Sequence, residues 1–352
     1  MEPIQYMRYA LTLAKKGRGT TSPNPMVGAV LLKDGKIVGR GFHSRKGEPH
    51  AEHMAIKEAG SMARNATLFV SLEPCVHFGA TPPCVDTIIR EGIRKVFIAT
   101  PDPNPIVNGR GIKKLSEAGV DVEVGLCERE AIELNEIYNK FITTKEPFVI
   151  LKAAITLDGK IATGTCQSKW ITGEEGRRFV HRLRASVDAV LVGINTIFVD
   201  DPLLTTRLTR GKSPKRIVLD SDFRIPGDAR VLGEGCIVAT TSSQKRRINA
   251  EVWQLDGDEM NRVDIGALLR EAGRRNITSI LVEGGRDVYT SFLKKRLVDK
   301  FYVFIGAKIF GESGIPSVGD LGIRSLEDAL DVKYTRVKKV GGDVLITGYP
   351  HF

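Results

Sequence analysis

Two short stretches limit what this 352-residue chain can fold into: His50-Ala51-Glu52, and Pro74-Cys75 running through Pro82-Pro83-Cys84. They lie on separate elements. Pro49 opens a helix, while the cysteine segment follows an apolar strand at 66–72 and leads into a second helix. A fold that serves both must bring a helix start and a loop together. Imidazole and thiolate suit Zn2+, and three such donors leave a fourth tetrahedral position for water. Zinc lowers the pKa of that water toward ~7. Glu52 can then take its proton and return it to a ring nitrogen and a leaving amine. An amidine-like pyrimidine carbon is the natural electrophile. Singly, each residue reads more readily as a core thiol or a helix-terminal histidine; together, His50, Cys75 and Cys84 read as metal ligands. A closed structural site is the alternative, with His43, His53 or, between the two cysteines, His77 as fourth ligand.

Composition narrows the class. The chain is 42% hydrophobic and 27% charged, as expected of a globular protein. No apolar run approaches the ~18 residues of a membrane span. The N-terminus lacks a basic segment followed by an apolar one, so no signal peptide is read and a cytoplasmic enzyme is expected. Five cysteines are too sparse for a disulfide scaffold and fit a reducing compartment. A net charge of +10 admits nucleic acid or phosphorylated small molecules as partners. No dense Lys/Arg block with interleaved aromatics is present, so a phosphorylated small molecule is expected and nucleic acid is not.

Ile4, Met7, Leu11 and Ala14 recur at helical spacing. Strands at 26–33 and 36–42 flank an Asp34-Gly35 hairpin turn. Further strands are expected at 66–72, 95–100 and 120–125, with helices at 85–91 and 111–117 and one continuous helix at 128–142. This alternation predicts a sheet covered by helices. Thr143-Thr144-Lys145-Glu146-Pro147 is the expected boundary, dividing the chain into domains 1–146 and 147–352. The second series has strands at 148–155, 187–192, 216–220, 236–240, 279–283, 300–305 and 343–349. Helices are expected at 174–184 and 288–295, and a Gly-rich loop over 306–319.

At Glu73-Pro74-Cys75-Val76-His77-Phe78-Gly79-Ala80-Thr81-Pro82-Pro83-Cys84 the chain resembles the deaminase domain of the bifunctional riboflavin-biosynthesis deaminase/reductases. The eight residues between the cysteines separate it from cytidine, tRNA-adenosine and polynucleotide cytosine deaminases, whose two cysteines are generally three apart. Ser22-Pro23-Asn24-Pro25-Met26-Val27-Gly28 and Gly41-Phe42-His43 are similar to the same family. The resemblance implies a cytidine-deaminase-like αβα domain in which His50, Cys75 and Cys84 hold zinc and Glu52 shuttles protons. It also implies that Asn24, His43 and His77 contact substrate. Ala80 departs from the family, which often carries Lys or Arg there, suited to a substrate phosphate.

The likeness continues through the second domain, at Lys152 to Ala162, Ser168 to Gly173, Gly193 to Thr196, Asp200 to Arg207 and Val282-Glu283-Gly284-Gly285. It implies an α/β domain similar to dihydrofolate reductase, using NADPH. A Gly-Gly pair between a strand and a helix lets backbone N–H groups approach a pyrophosphate, but it is not the GxGxxG fingerprint of a Rossmann domain. By resemblance, Ala154, Trp170, Thr196, Asp200, Ser221 and Gly285 line the dinucleotide. Ser168, Arg184, Leu204, Arg207 and Glu283 hold the ribose-phosphate substrate; Lys152 joins them with no proton-transfer role assigned. Arginine suits phosphate through its planar fork of donors. The family implies deamination of 2,5-diamino-6-ribosylamino-4(3H)-pyrimidinone 5′-phosphate, then reduction of the ribosyl group of the product to ribityl. A homo-oligomer is expected.

Overall fold

In the computed structural model, which describes residues 2–78 and 82–352, the chain separates into two units, Met1–Lys145 and Glu146–Phe352. Among the described residues, no helix is long and apolar enough to cross a membrane.

Unit 1 runs α1 (Pro3–Ala14), β1 (Gly28–Lys33), β2 (Lys36–Phe42), α2 (Ala51–Ala59), β3 (Thr67–Val70), α3 (Cys84–Arg90), β4 (Lys95–Ile98), α4 (Arg110–Glu117), β5 (Asp121–Val124), α5 (Glu128–Leu134) and α6 (Glu136–Thr144). Its sheet has the order β2-β1-β3-β4-β5. The β1–β2 and β1–β3 pairs are antiparallel, and the rest are parallel. Asp34 and Gly35 both have positive φ, as the two-residue hairpin requires. Alternation along β1 divides the core between two faces. Ala29 and Leu31 pack with Ala51, Ala55, Val85 and Ile88 on one side. Val30 packs with Met7, Ala10, Leu11 and Leu134 on the other.

Two glycines set the height of α2 above the sheet. A Cβ on Gly39 would lie 2.1 Å from the Ala55 carbonyl oxygen, and one on Gly41 would lie 2.2 Å from that of Ala51. The helix therefore rests on bare backbone, and its first turn, which carries Glu52, is held close against β2. The continuous helix expected at 128–142 is instead two. Asn135, with φ −105° and ψ 21°, separates α5 from α6. Its amide turns onto Met26, accepting from the N–H at 2.8 Å and donating to the carbonyl at 3.0 Å.

Unit 2 runs β6 (Phe148–Thr156), β7 (Lys160–Ala162), α7 (Glu174–Arg184), β8 (Ala189–Gly193), α8 (Ile194–Asp200), β9 (Lys215–Leu219), β10 (Cys236–Thr240), β11 (Glu251–Gln254), α9 (Ile265–Arg274), β12 (Ser279–Gly284), α10 (Arg286–Lys294), β13 (Lys300–Gly306), β14 (Ile315–Pro316), β15 (Asp331–Val340) and β16 (Asp343–His351). The main sheet has the order β11-β10-β9-β8-β12-β6-β13-β16-β15. It is parallel from β11 to β13, while β16 and β15 run antiparallel. The parallel strands thus end along one edge, where ligands of such sheets bind. The loop expected over 306–319 contains only the two-residue β14, paired with β7.

Gly39→Ala should cost about 1–3 kcal/mol by overpacking α2 against β2. The urea midpoint of unit 1 measures this. An unchanged midpoint would show that α2 can move away freely.

Two candidate active sites

In unit 1, His50 is the N-cap of α2, in extended conformation, and Glu52 lies in the first turn. Cys84 begins α3, and Cys75 lies in the loop after β3. The His50 Nδ1 is 3.3 Å from the Cys84 Sγ and 3.6 Å from the Cys75 Sγ. The Cys84 N–H points at the Cys75 Sγ from 3.4 Å. The three ligand atoms lie within 4.8 Å of one another, and among the described residues this cluster has three members. The thiols divide their charge. Hydrogen bonding with Cys84, and then with His50, holds the Cys75 thiol down at about 4. Contact with Cys75, together with burial, pushes Cys84 well up.

This donor set fits zinc and leaves room for a fourth ligand. His53 is turned away from it, its Nε2 3.0 Å from the Pro82 carbonyl. His43 is buried and committed elsewhere. Its Nδ1–H donates to the Pro49 carbonyl at 3.3 Å, and Nε2 accepts from the Asn24 amide at 3.1 Å. Burial lowers its pKa, so it is neutral. Its ring centroid is 5.3 Å from that of His50. Asn24, His43 and His50 are thus neighbours. His77 is exposed in the loop between the cysteines. Ala80 lies outside the described residues.

Glu52 is buried, and its Oε2 has no hydrogen-bond partner. Burial pushes its carboxyl up to about 7, with His50 pulling it back. A buried carboxylate oxygen without a partner is costly, and a ligand in the site would supply one. A proton holder near neutrality is what general acid–base work requires.

Sequence reading assigned no role to the residues that hold this site. Glu73 is buried, and its Oε2 accepts from the N–H groups of Asp102 at 3.1 Å and Gly109 at 2.9 Å. Its Oε1 accepts from Gly111 at 2.8 Å and Ile112 at 3.2 Å. One carboxylate therefore ties the start of the Cys75 loop to the 102–112 segment. Asp102 accepts from the Tyr138 hydroxyl at 3.0 Å. Burial pushes the Asp102 carboxyl up, while the Asn104 N–H, Tyr138 and the nearby His77 pull it back.

In unit 2, three elements deliver a buried ion triad. The Arg184 Nε and Nη2, at the end of α7, donate to the Glu283 Oε1 and Oε2 at 2.6 and 3.0 Å. Lys152 on β6 reaches Oε2 at 3.5 Å. Burial alone would raise the Glu283 carboxyl, but Arg184 and Lys152 hold it at about 2. Burial lowers the Lys152 ammonium, against the pull of Glu283. Two cations share one anion here, so the pocket keeps an unbalanced positive charge. Arg207 adds to it. Its side chain is exposed, and burial and the neighbouring Arg184 and Arg230 lower its pKa. Leu204 is 2% exposed with φ 53°. His181, not singled out from sequence, accepts the Arg207 N–H at its Nδ1 at 2.9 Å.

Of the residues expected at the dinucleotide, Ala154 lies near the C-terminal end of β6, and Thr196, Ser221 and Gly285 follow the C-terminal ends of β8, β9 and β12. Ala154 is half-buried on β6. A Cβ on Gly285 would lie 3.9 Å from the Thr196 hydroxyl, so those two are adjacent. Asp200 ends α8 and accepts from the Ser168 hydroxyl at 2.8 Å. Ser221 follows β9, and its hydroxyl accepts from the Val263 N–H at 3.0 Å. Trp170 is exposed, with the Arg177 guanidinium 4.6 Å from its ring centre.

Residues 147–346 match the family described as RibD C-terminal domain, and residues 1–100 match the cytidine and deoxycytidylate deaminase zinc-binding region. The chain is 48% identical over 345 residues to the riboflavin biosynthesis protein RibD of Aquifex aeolicus, covering 97% of this chain and 96% of that one. It is also similar to a solved deaminase/reductase of Thermotoga maritima, described as a diaminohydroxyphosphoribosylaminopyrimidine deaminase and 5-amino-6-(5-phosphoribosylamino)uracil reductase. That match has a TM-score of 0.89 and 40% identity, covering 99% of this chain and 98% of that one. Acinetobacter baumannii RibD superposes with a TM-score of 0.90 at 34% identity, covering 99% of each.

The triad has a pH signature. A carboxyl at about 2 in the fold and at its ordinary 4.5 when unfolded stabilises fully above pH ~4.5. That contribution, about 3 kcal/mol, is lost as pH falls toward 2. Glu283→Gln should remove this dependence and, by leaving two buried cations unpaired, cost about 3–5 kcal/mol at pH 7. Urea midpoints of both proteins between pH 3 and 7 test it; parallel curves would exclude a native carboxylate held by the cations.

Proposed function

The chain belongs to the RibD family, the bifunctional deaminase/reductases of riboflavin biosynthesis, and on that premise we propose the substrates and residue roles of its two units. Zinc serves the first activity and NADPH the second. Unit 1 hydrolyses the exocyclic amine of 2,5-diamino-6-ribosylamino-4(3H)-pyrimidinone 5′-phosphate. Unit 2 reduces the ribosyl group of 5-amino-6-(5-phosphoribosylamino)uracil to ribityl. Residues 1–146 carry the first activity and residues 147–352 the second. The observation that carries the deaminase assignment is the convergence of His50, Cys75 and Cys84 beside a buried Glu52 with an unpartnered oxygen.

His50, Cys75 and Cys84 hold the zinc. Bound zinc supplies the Lewis acidity that brings a water's proton within reach of a base at neutral pH. Glu52 takes that proton and can return it to the ring nitrogen and to the departing ammonia. Asn24, whose amide is held by His43, contacts the pyrimidine together with His43 and His77.

In unit 2, NADPH supplies the hydride. Ala154, Trp170, Thr196, Asp200, Ser221 and Gly285 would line it. Arg207 binds the substrate phosphate, where its paired N–H donors and the surrounding positive charge favour a dianion, and Arg184, its fork spent on Glu283, adds charge beside it. Lys152, Ser168, Leu204 and Glu283 complete the substrate pocket. The working protein is a cytoplasmic homo-oligomer with a phosphorylated pyrimidine substrate and neither nucleic acid nor membrane as partner.

Glu52→Ala should reduce ammonia release by at least a hundredfold, within the range for loss of a general acid–base. NADPH oxidation on the deaminated intermediate should persist. Deamination at the wild-type rate would remove Glu52 from the mechanism. Arg207→Ala should raise the reductase KM about tenfold with kcat little changed, read from initial rates of NADPH oxidation; an unaltered KM would count against a phosphate contact.

A further inference from the structure

His181 and Arg184 lie three residues apart near the end of α7, on one helix face, and both reach the 204–207 loop. The Arg184 Nη1 donates to the Thr205 carbonyl at 3.2 Å. The His181 Nδ1 accepts the Arg207 N–H at 2.9 Å. A backbone N–H can only donate, so Nδ1 carries a lone pair and the imidazole proton sits on Nε2. The surroundings favour that neutral form. Burial first, then Arg184 and Arg207, hold the imidazole down at about 4; Lys152 adds to this and Glu283 opposes it. The loop is therefore gripped at two points by one helical turn. Leu204, a buried non-glycine residue with φ 53°, adopts a conformation that persists only where neighbours over-determine it. From this clamped backbone the Arg207 side chain extends, its Nη1 donating to the Thr205 hydroxyl at 3.2 Å.

We propose that His181 is a positioning residue of the reductase: acting through the Arg207 main chain, it sets where the Arg207 guanidinium presents its donors to the substrate phosphate. This rests on the reading that Arg207 contacts that phosphate. What the position requires is an uncharged acceptor at the Nδ1 location. Asparagine can place its Oδ1 there, glutamine places its amide one carbon further out, and leucine fills the space with no acceptor.

The test is steady-state reductase kinetics on the full chain with NADPH and 5-amino-6-(5-phosphoribosylamino)uracil, for His181→Asn, His181→Gln, His181→Leu and Arg207→Ala. A parallel series uses the substrate lacking its 5′-phosphate. His181→Leu should raise the KM for the phosphorylated substrate about tenfold, the scale of one lost buried hydrogen bond. Its kcat and its KM for NADPH should stay within about twofold. His181→Asn should restore the wild-type KM and His181→Gln should not, a contrast that holds even where the leucine variant fails to fold. Without the phosphate, the His181 variants should match wild type. If Arg207→Ala raises KM while His181→Leu does not, the His181 role fails and the Arg207 assignment stands. If Arg207→Ala has no effect, both fail. Equal impairment of the asparagine and glutamine variants, or a kcat that falls with KM in His181→Leu, would reduce His181 to a general structural part and overturn the proposal.

Discussion

Glu283, buried at the end of β12, keeps its charge because Arg184 and Lys152 reach it from α7 and β6. Those three elements are far apart in sequence, so the ion triad can form only when the parallel sheet and the helix are both in place. Removing the carboxylate would strand two cations. The end of β12, the last turn of α7 and the middle of β6 are thereby locked around one point. The 204–207 loop then hangs from α7 through Arg184 and His181.

Unit 1 solves the same problem differently. Among the described residues no cation pairs with the Glu73 carboxylate, but four backbone N–H groups converge on its two oxygens. These hydrogen bonds satisfy both oxygens of the buried carboxylate and fix the backbone that supplies them. The segment that starts at Glu73 is the one that presents Cys75. Glu52 is the contrast. It is as buried as the other two, yet one oxygen has no partner and the carboxyl is pushed up to about 7. A satisfied glutamate holds structure, whereas an unsatisfied one beside metal ligands can move protons.

The expected elements that appeared were those with strong local signals. The Asp34-Gly35 hairpin, the buried strands and the helix after Gly173 follow from turn chemistry and apolar periodicity. The elements that escaped notice lacked such signals or hid them. β15 is nearly all exposed and rich in Lys and Arg, so backbone pairing with β16, not burial, makes it a strand. α8 is seven residues long. α9 did carry a legible cap, Asp264 accepting from the Ala267 N–H at 2.7 Å. The break at Asn135 could not be foreseen, because its cause is Met26, 109 residues away.

By itself the sequence determined the chemistry that each unit can offer: which side chains can bind zinc, which can carry a proton, which can pair with phosphate, and where one α/β series stops and another begins. These follow from residue type and short spacing, which are local. Only the tertiary structure decided which of those groups are satisfied. Whether a carboxyl sits at about 2 or about 7, whether His43 is a ligand or an anchor, and whether His181 accepts or donates all depend on partners from other elements. Burial removes water, and once water is gone the nearest donor or charge sets what a side chain can do.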